Sequence, residues 1–158
     1  MQITDDEIFL REKVISLFNR LTGNEAGAWG KMNSWQAVEH LANFFDASSN
    51  KVIYEIVTPE EQLPKYLEFL RSEKEFRENT KAPVNIIGEE PSSVETSSYK
   101  EAIHKLDEAI KGFFDHFGNN PSAQTIHPVF GNLDYRDWIT LHAKHVRHHL
   151  RQFGLMEK

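Results

Sequence analysis

Between Ser98 and Phe117 the apolar residues Ala102, Ile103, Leu106, Ala109, Ile110, Phe113, Phe114 and Phe117 recur at steps of three and four. A helix turns that spacing into one buried stripe, whereas a strand would scatter it over both faces. Ser98-Tyr99-Lys100-Glu101 in front has the form of a capping box, and Gly118-Asn119-Asn120-Pro121 behind stops the run. The same period returns elsewhere. Leu10, Val14, Leu17, Phe18 and Leu21 follow a second capping box at Thr4-Asp5-Asp6-Glu7 and predict a helix ending near Gly23. Trp35, Val38, Leu41, Ala42 and Phe45 predict another, capped by Asn33 or Ser34 and continuing to about Tyr54. Asp134, with Asp137 three residues on, opens a last helix that runs to about Phe153, before Gly154. The expected class is all-α, a four-helix bundle with little strand.

The connections are less regular. Gly23, Gly27 and Gly30 mark the first. Thr58-Pro59-Glu60-Glu61 can open a short helix, which Pro64 must end, kink or restart before Tyr66, Leu67 and Leu70. Residues 79–97 carry two prolines, a glycine and a run of serines and threonines around an apolar knot of Val84, Ile86 and Ile87, and read as a long crossover between helices two and three. With 158 residues, the chain is expected to form a single domain spanning residues 1–158.

Composition then removes whole classes of function. Cysteine is absent, which excludes disulfides, thiolate metal sites and a cysteine nucleophile. The formal net charge is -6, and the basic residues are scattered apart from Lys144, Arg147 and Arg151, so no broad surface for nucleic acid or anionic lipid is expected. The acidic start MQITDDEIFL lacks the features of an export signal, and no run approaches the roughly 18 apolar residues of a membrane span. A cytoplasmic location is the expectation.

The chemistry lies in the histidines. On a wheel of about 100° per residue, the last helix places Trp138, Leu141, His142, His145, Val146, His149 and Phe153 on one face, with Lys144, Arg147 and Arg151 opposite and His148 at the edge. His145 and His149 are four apart, the spacing by which a helix offers two imidazoles to a single ion. A lone inward histidine is usually a core residue with a hydrogen-bond partner. Burying several without partners would cost on the order of 1–3 kcal/mol each, so a shared ion is the more economical account of this stripe. Without cysteine, its ligands must be nitrogen or oxygen. The Glu of the H-E-x-x-H protease pattern is replaced by Val146, so that mechanism is not supported. A third ligand must come from another helix. His104 should face solvent and His116 lies toward the margin of its stripe, whereas His40, on the flank of helix two beside Leu41, can reach a neighbouring helix. His40, His145 and His149 are thus the expected ligands, with His142 as a further candidate.

Three segments together resemble a known superfamily: W-x-A-x-E-H-L-A at Trp35 to Ala42, H-P-V-F-G-N-L at His127 to Leu133, and H-V-R-H-H-L-R-Q at His145 to Gln152. They are similar to the DinB-like metal-binding four-helix bundles, in particular the uncharacterised branch with the H-P-x-F-G loop. The resemblance covers nearly the whole chain, least well around residues 59 to 97. It implies one ligand from the second helix and an H-x-x-x-H pair from the last, which maps onto His40, His145 and His149. It also implies a homodimer and a divalent transition metal, zinc or nickel. Some relatives are transferases or isomerases acting with low-molecular-weight thiols such as bacillithiol or mycothiol. Three neutral imidazoles leave one coordination position open, at which a nucleophile can be activated.

Around these ligands, Glu39 and Asn43 are candidates to orient an imidazole or move a proton, although a solvated helix face is the ordinary place for a Glu. His127, in its Pro- and Gly-bounded loop, is a candidate acid, base or orienting group, or else pins the loop to backbone. Trp29, Trp35, Phe44 and Trp138 read as core or pocket wall. The leading expectation is a metal-dependent enzyme of transferase or hydrolase type acting on a small molecule. The alternatives are a non-catalytic metal-binding structural or stress-response protein and a metal-free bundle with hydrogen-bonded histidines.

Overall fold

The computed structural model describes residues 3–77 and 93–156. These form a mostly helical domain with six α-helices, one 3-10 turn and a two-stranded sheet. The first helical stretch is split. Helix α1 (Asp5–Glu12) starts where the Thr4 hydroxyl accepts the Glu7 amide hydrogen, and α2 (Val14–Phe18) follows after a break at Lys13. There φ is -116°, and the Lys13 carbonyl accepts the Ser16 hydroxyl at 3.0 Å. Local geometry at Lys13 therefore divides one apolar period into two helices.

Helix α3 (Ser34–Ser48) has Asn33 as its cap, in a reciprocal capping box with Gln36. It stops six residues short of the expected Tyr54. The Ser48 hydroxyl turns back to the Phe45 carbonyl at 2.6 Å, Ser49 does the same more loosely, and Asn50 takes a left-handed φ of 64°, a conformation asparagine tolerates and a helix does not. Pro64 restarts rather than ends its helix: a 3-10 turn at Glu60–Gln62 leads into α4 (Leu63–Arg71), whose first turn contains the proline. Helix α5 (Tyr99–Asn119) is capped by Ser98, and α6 (Tyr135–Gln152) by Asp134. The crossover expected at 79–97 is described only from residue 93 onward, and Val84, Ile86 and Ile87 lie outside the described residues.

Helices α3 and α5 pack along each other, α1 and α4 lie on α6, and α3 meets α6 across the centre. Phe18, Leu41, Phe45, Leu106, Phe113 and Trp138 fill the space between them and are essentially inaccessible to water. Each such side chain contributes about 1.5–3 kcal/mol by leaving water, and together they fix which faces of α3 and α6 oppose each other. Strands β1 (Thr125–His127) and β2 (Gly131–Leu133) pair antiparallel, with His127 opposite Gly131. Alternation turns Thr125 and His127 inward and leaves Ile126 outward.

One face of α6 departs from expectation. Lys144, expected opposite the apolar stripe, is 2% exposed. Its ammonium donates to the backbone carbonyls of Ser72 (2.8 Å) and Lys74, in the chain just after α4. Arg147 pairs with Glu75 and Asp6, and Arg151 reaches Glu75 at 3.2 Å. The charged side of α6 is covered because the segment after α4 folds back over it, a tertiary event that a helical wheel does not contain. No helix among the described residues is long and apolar enough to cross a membrane.

Candidate metal centre

His40 leaves α3 at the flank of its buried arc, and His145 and His149 leave α6 one turn apart, so the crossing of these helices sets three imidazoles against each other. His40 Nε2 lies 2.9 Å from His145 Nε2. One nitrogen from each of His40, His145 and His149 falls within 4.8 Å of the others. Their rings are 4.8 to 5.3 Å apart between centroids and strongly inclined to one another. His149 is buried, and His40 and His145 are half-buried. The sequence thus anticipated all three members of this cluster.

Burial is the main reason that protonation is suppressed here. It pushes His40 down to about 4, with repulsion from His148 adding to the effect. His145 and His149 are likewise held well below the usual histidine value, first by burial and then by neighbouring imidazoles. All three rings are therefore neutral at physiological pH, the form that coordinates a cation. A tetrahedral centre with metal–nitrogen bonds of about 2.0–2.1 Å sets its ligand atoms roughly 3.3 Å apart. That spacing is bracketed by the 2.9 Å contact and the 4.8 Å outer limit. An all-nitrogen, neutral, closely spaced donor set fits a metal ion.

His142, the further candidate, is engaged elsewhere. Its Nε2 lies 2.9 Å from the Ser48 hydroxyl, whose own hydrogen goes to the Phe45 carbonyl, so the imidazole donates. The ring is stacked on Phe45 at 3.8 Å and on Trp138 at 5.0 Å. It buttresses the junction of α3 and α6 one turn below the cluster. His127, the last residue of β1, pins the turn that follows it: its Nδ1 accepts the amide hydrogens of Val129 (3.0 Å) and Phe130 (3.3 Å). Its ring stacks on Phe44, which in turn stands edge-on to His40 and His145. Burial, then the charge of His40, pushes His127 down to about 3.

Glu39 is not on a solvated face. Only 8% exposed, it accepts hydrogen bonds from the amides of Glu95 and Thr96 and from the Thr96 hydroxyl. Although burial raises its carboxyl, these bonds hold it below the ordinary value. Its role is to tie the approach to α5 onto α3. Asn43 is exposed. Trp35 donates to the Thr96 hydroxyl at 2.8 Å in the same junction, and Trp138 is fully buried. His104 is exposed, as expected, and His116 is half-buried beside Phe117.

Two features around the cluster were not anticipated. Phe76 comes from the segment after α4, where no periodicity signals it, and its ring lies 6.4 Å from His145 and 5.9 Å from His148. Gln152 lies one turn beyond His149, on the same face, and its amide oxygen is 2.7 Å from His149 Nδ1. The spacing of three from His149 puts it on that face, but nothing in the sequence signals the contact. Among the described residues, the rings of Phe44, Phe76 and His148 and the Gln152 amide stand against the cluster.

Fold and cluster together define a mostly helical protein with a three-histidine site able to hold one metal ion. The chain belongs to the family described as "Protein of unknown function (DUF1569)", which matches residues 73–156, just over half of its length. The matched span includes His145 and His149 but not His40. Comparison with curated proteins and with solved structures returned no match.

Proposed function

We propose that this protein is a DinB-like four-helix bundle that holds one zinc or nickel ion on His40, His145 and His149 and acts as a metal-dependent transferase or hydrolase, with a low-molecular-weight thiol as cosubstrate. The observation that carries the reading is the meeting of neutral imidazole nitrogens from α3 and α6 within 4.8 Å. In the bundle, α1 and α2 together form one column and α3, α5 and α6 the other three. A bound ion would supply Lewis-acid chemistry at the position the three histidines leave open. His40 and His145 are half-buried rather than fully enclosed, which favours access to that position, while Phe44 and Phe76 pack beside them and limit the water there.

The test is elemental analysis of untagged protein at known concentration, followed by the visible spectrum of the cobalt-substituted form. One ion per chain and a spectrum perturbed by azide or an added thiol are expected. A loaded site whose spectrum ignores exogenous ligands would point instead to a structural ion. Metal-free protein that takes up no cobalt would remove the reading altogether.

A further inference from the structure

Three imidazoles can share an ion only if each presents a bare nitrogen to it, so the tautomer of every ring matters. For His149 the choice is made by Gln152, which is 4% exposed. The Gln152 Nε2 amide donates to the Trp29 backbone carbonyl at 2.8 Å. A carbonyl can only accept, so this contact fixes which end of the amide is NH2 and leaves Oε1 toward His149. Oε1 can only accept as well, so His149 Nδ1, 2.7 Å away, must carry the hydrogen and Nε2 must be bare.

The loop that supplies the Trp29 carbonyl is shaped around this side chain. The Ala28 amide donates to the Gln152 carbonyl at 2.8 Å, and Ala26 bridges Asn33, the cap of α3. A Cβ on Gly27 would stand 2.7 Å from Gln152 Cγ and 2.8 Å from the Trp29 oxygen. One on Gly30, where φ is +76°, would stand 3.1 Å from Gln152 Nε2. Only glycine at these positions lets the backbone close on the amide. The loop thus touches a candidate ligand of α6 through Gln152 and leads directly into α3, which carries His40.

We infer that Gln152 is a positioning residue for the metal: its amide holds His149 in the Nδ1–H tautomer and couples occupancy of the three-histidine site to the order of the loop at residues 26–30. This rests on the metal reading above. Groups that accept from the second nitrogen of a metal-bound histidine typically change metal affinity by roughly 10- to 100-fold. Loss of the acceptor should act with that size, although Gln152 is not in the ligand set.

The experiment compares wild type, Gln152→Leu, Gln152→Glu and Gly27→Ala. Cobalt affinity is measured by competition with a chelator, and the tautomer of His149 in the metal-free proteins by long-range 1H–15N correlation NMR. Hydrogen exchange at the Ala28 amide is followed with and without cobalt. Wild type should show pyrrole-type Nδ1 and pyridine-type Nε2 on His149, with slower Ala28 exchange once cobalt is bound. Gln152→Leu should mix the tautomers and lose roughly 10- to 100-fold in affinity. Gln152→Glu keeps the acceptor but loses the donor, so it should retain affinity within a few-fold while Ala28 exchange no longer responds to cobalt. Gly27→Ala, which touches neither ligand nor ion, should weaken cobalt binding by displacing Gln152. Wild-type-like affinity in Gln152→Leu, an Nε2–H tautomer in wild type, or a Gln152→Glu protein as weak as Gln152→Leu would each overturn the inference. If wild type takes up no cobalt, the metal reading fails, and the tautomer spectra alone still decide whether Gln152 sets His149.

Discussion

Lowering the pH should unfold the metal-free protein through its histidines. Burial depresses His40, His127, His142, His145 and His149 in the folded state, with His40 at about 4 and His127 at about 3. In the unfolded chain each returns to about 6.5. Below that value the unfolded state binds more protons than the folded state, so stability is present above pH ~6.5 and is lost as the pH falls. At pH 5.5 one histidine kept neutral costs about 1.4 kcal/mol, so His40 and His127 together cost roughly 3 kcal/mol, and His142, His145 and His149 add in the same direction. Even the part from His40 and His127 is a large share of the whole stability of a typical domain, about 5–15 kcal/mol. Urea titrations of chelator-treated protein from pH 8 to 5 should therefore show unfolding free energy falling ever more steeply below pH ~6.5, with several protons taken up on unfolding. His142→Gln, which keeps a donor for Ser48, should remove about one proton from that slope. A free energy that stays flat from pH 8 to 5 would refute the reasoning, because it would mean that these rings protonate in place.

Other outcomes follow from single contacts. His149→Ala should lose tight cobalt binding while His104→Ala, on an exposed face, keeps it; equal metal content in the two purified proteins would defeat the ligand assignment. Glu39→Gln weakens the acceptor for Glu95 and Thr96 and should cost about 1–3 kcal/mol, read by urea denaturation, with cobalt affinity unchanged. Phe113→Ala, in the centre of the core, should cost about 3–5 kcal/mol in the same assay. Lys144→Met removes the ammonium that holds the Ser72 and Lys74 carbonyls, and limited proteolysis should cut the segment after α4 sooner than in wild type.

Phe76 shows why part of the site escaped the sequence. Nothing in its neighbourhood is periodic, and it reaches His145 only because Lys144 and Arg147 hold the preceding residues against α6. Glu39 shows the same in reverse: a carboxylate expected in solvent becomes buried when the approach to α5 crosses it.

The amino-acid order alone showed where the longer helices run and that His145 and His149 share a face, because both depend on spacing within a few turns of one element. It also put Ser98 and Asp134 at helix starts and offered Asn33 or Ser34 for α3, of which Asn33 is the cap whose side-chain oxygen meets the free amides of the first turn. Where α3 ends, how α4 and its successor cover Lys144, and which atoms His127, His142 and Gln152 address were decided only in the folded molecule. Those outcomes depend on contacts between residues far apart in the chain, and local periodicity carries no information about which distant backbone group will arrive at a given side chain.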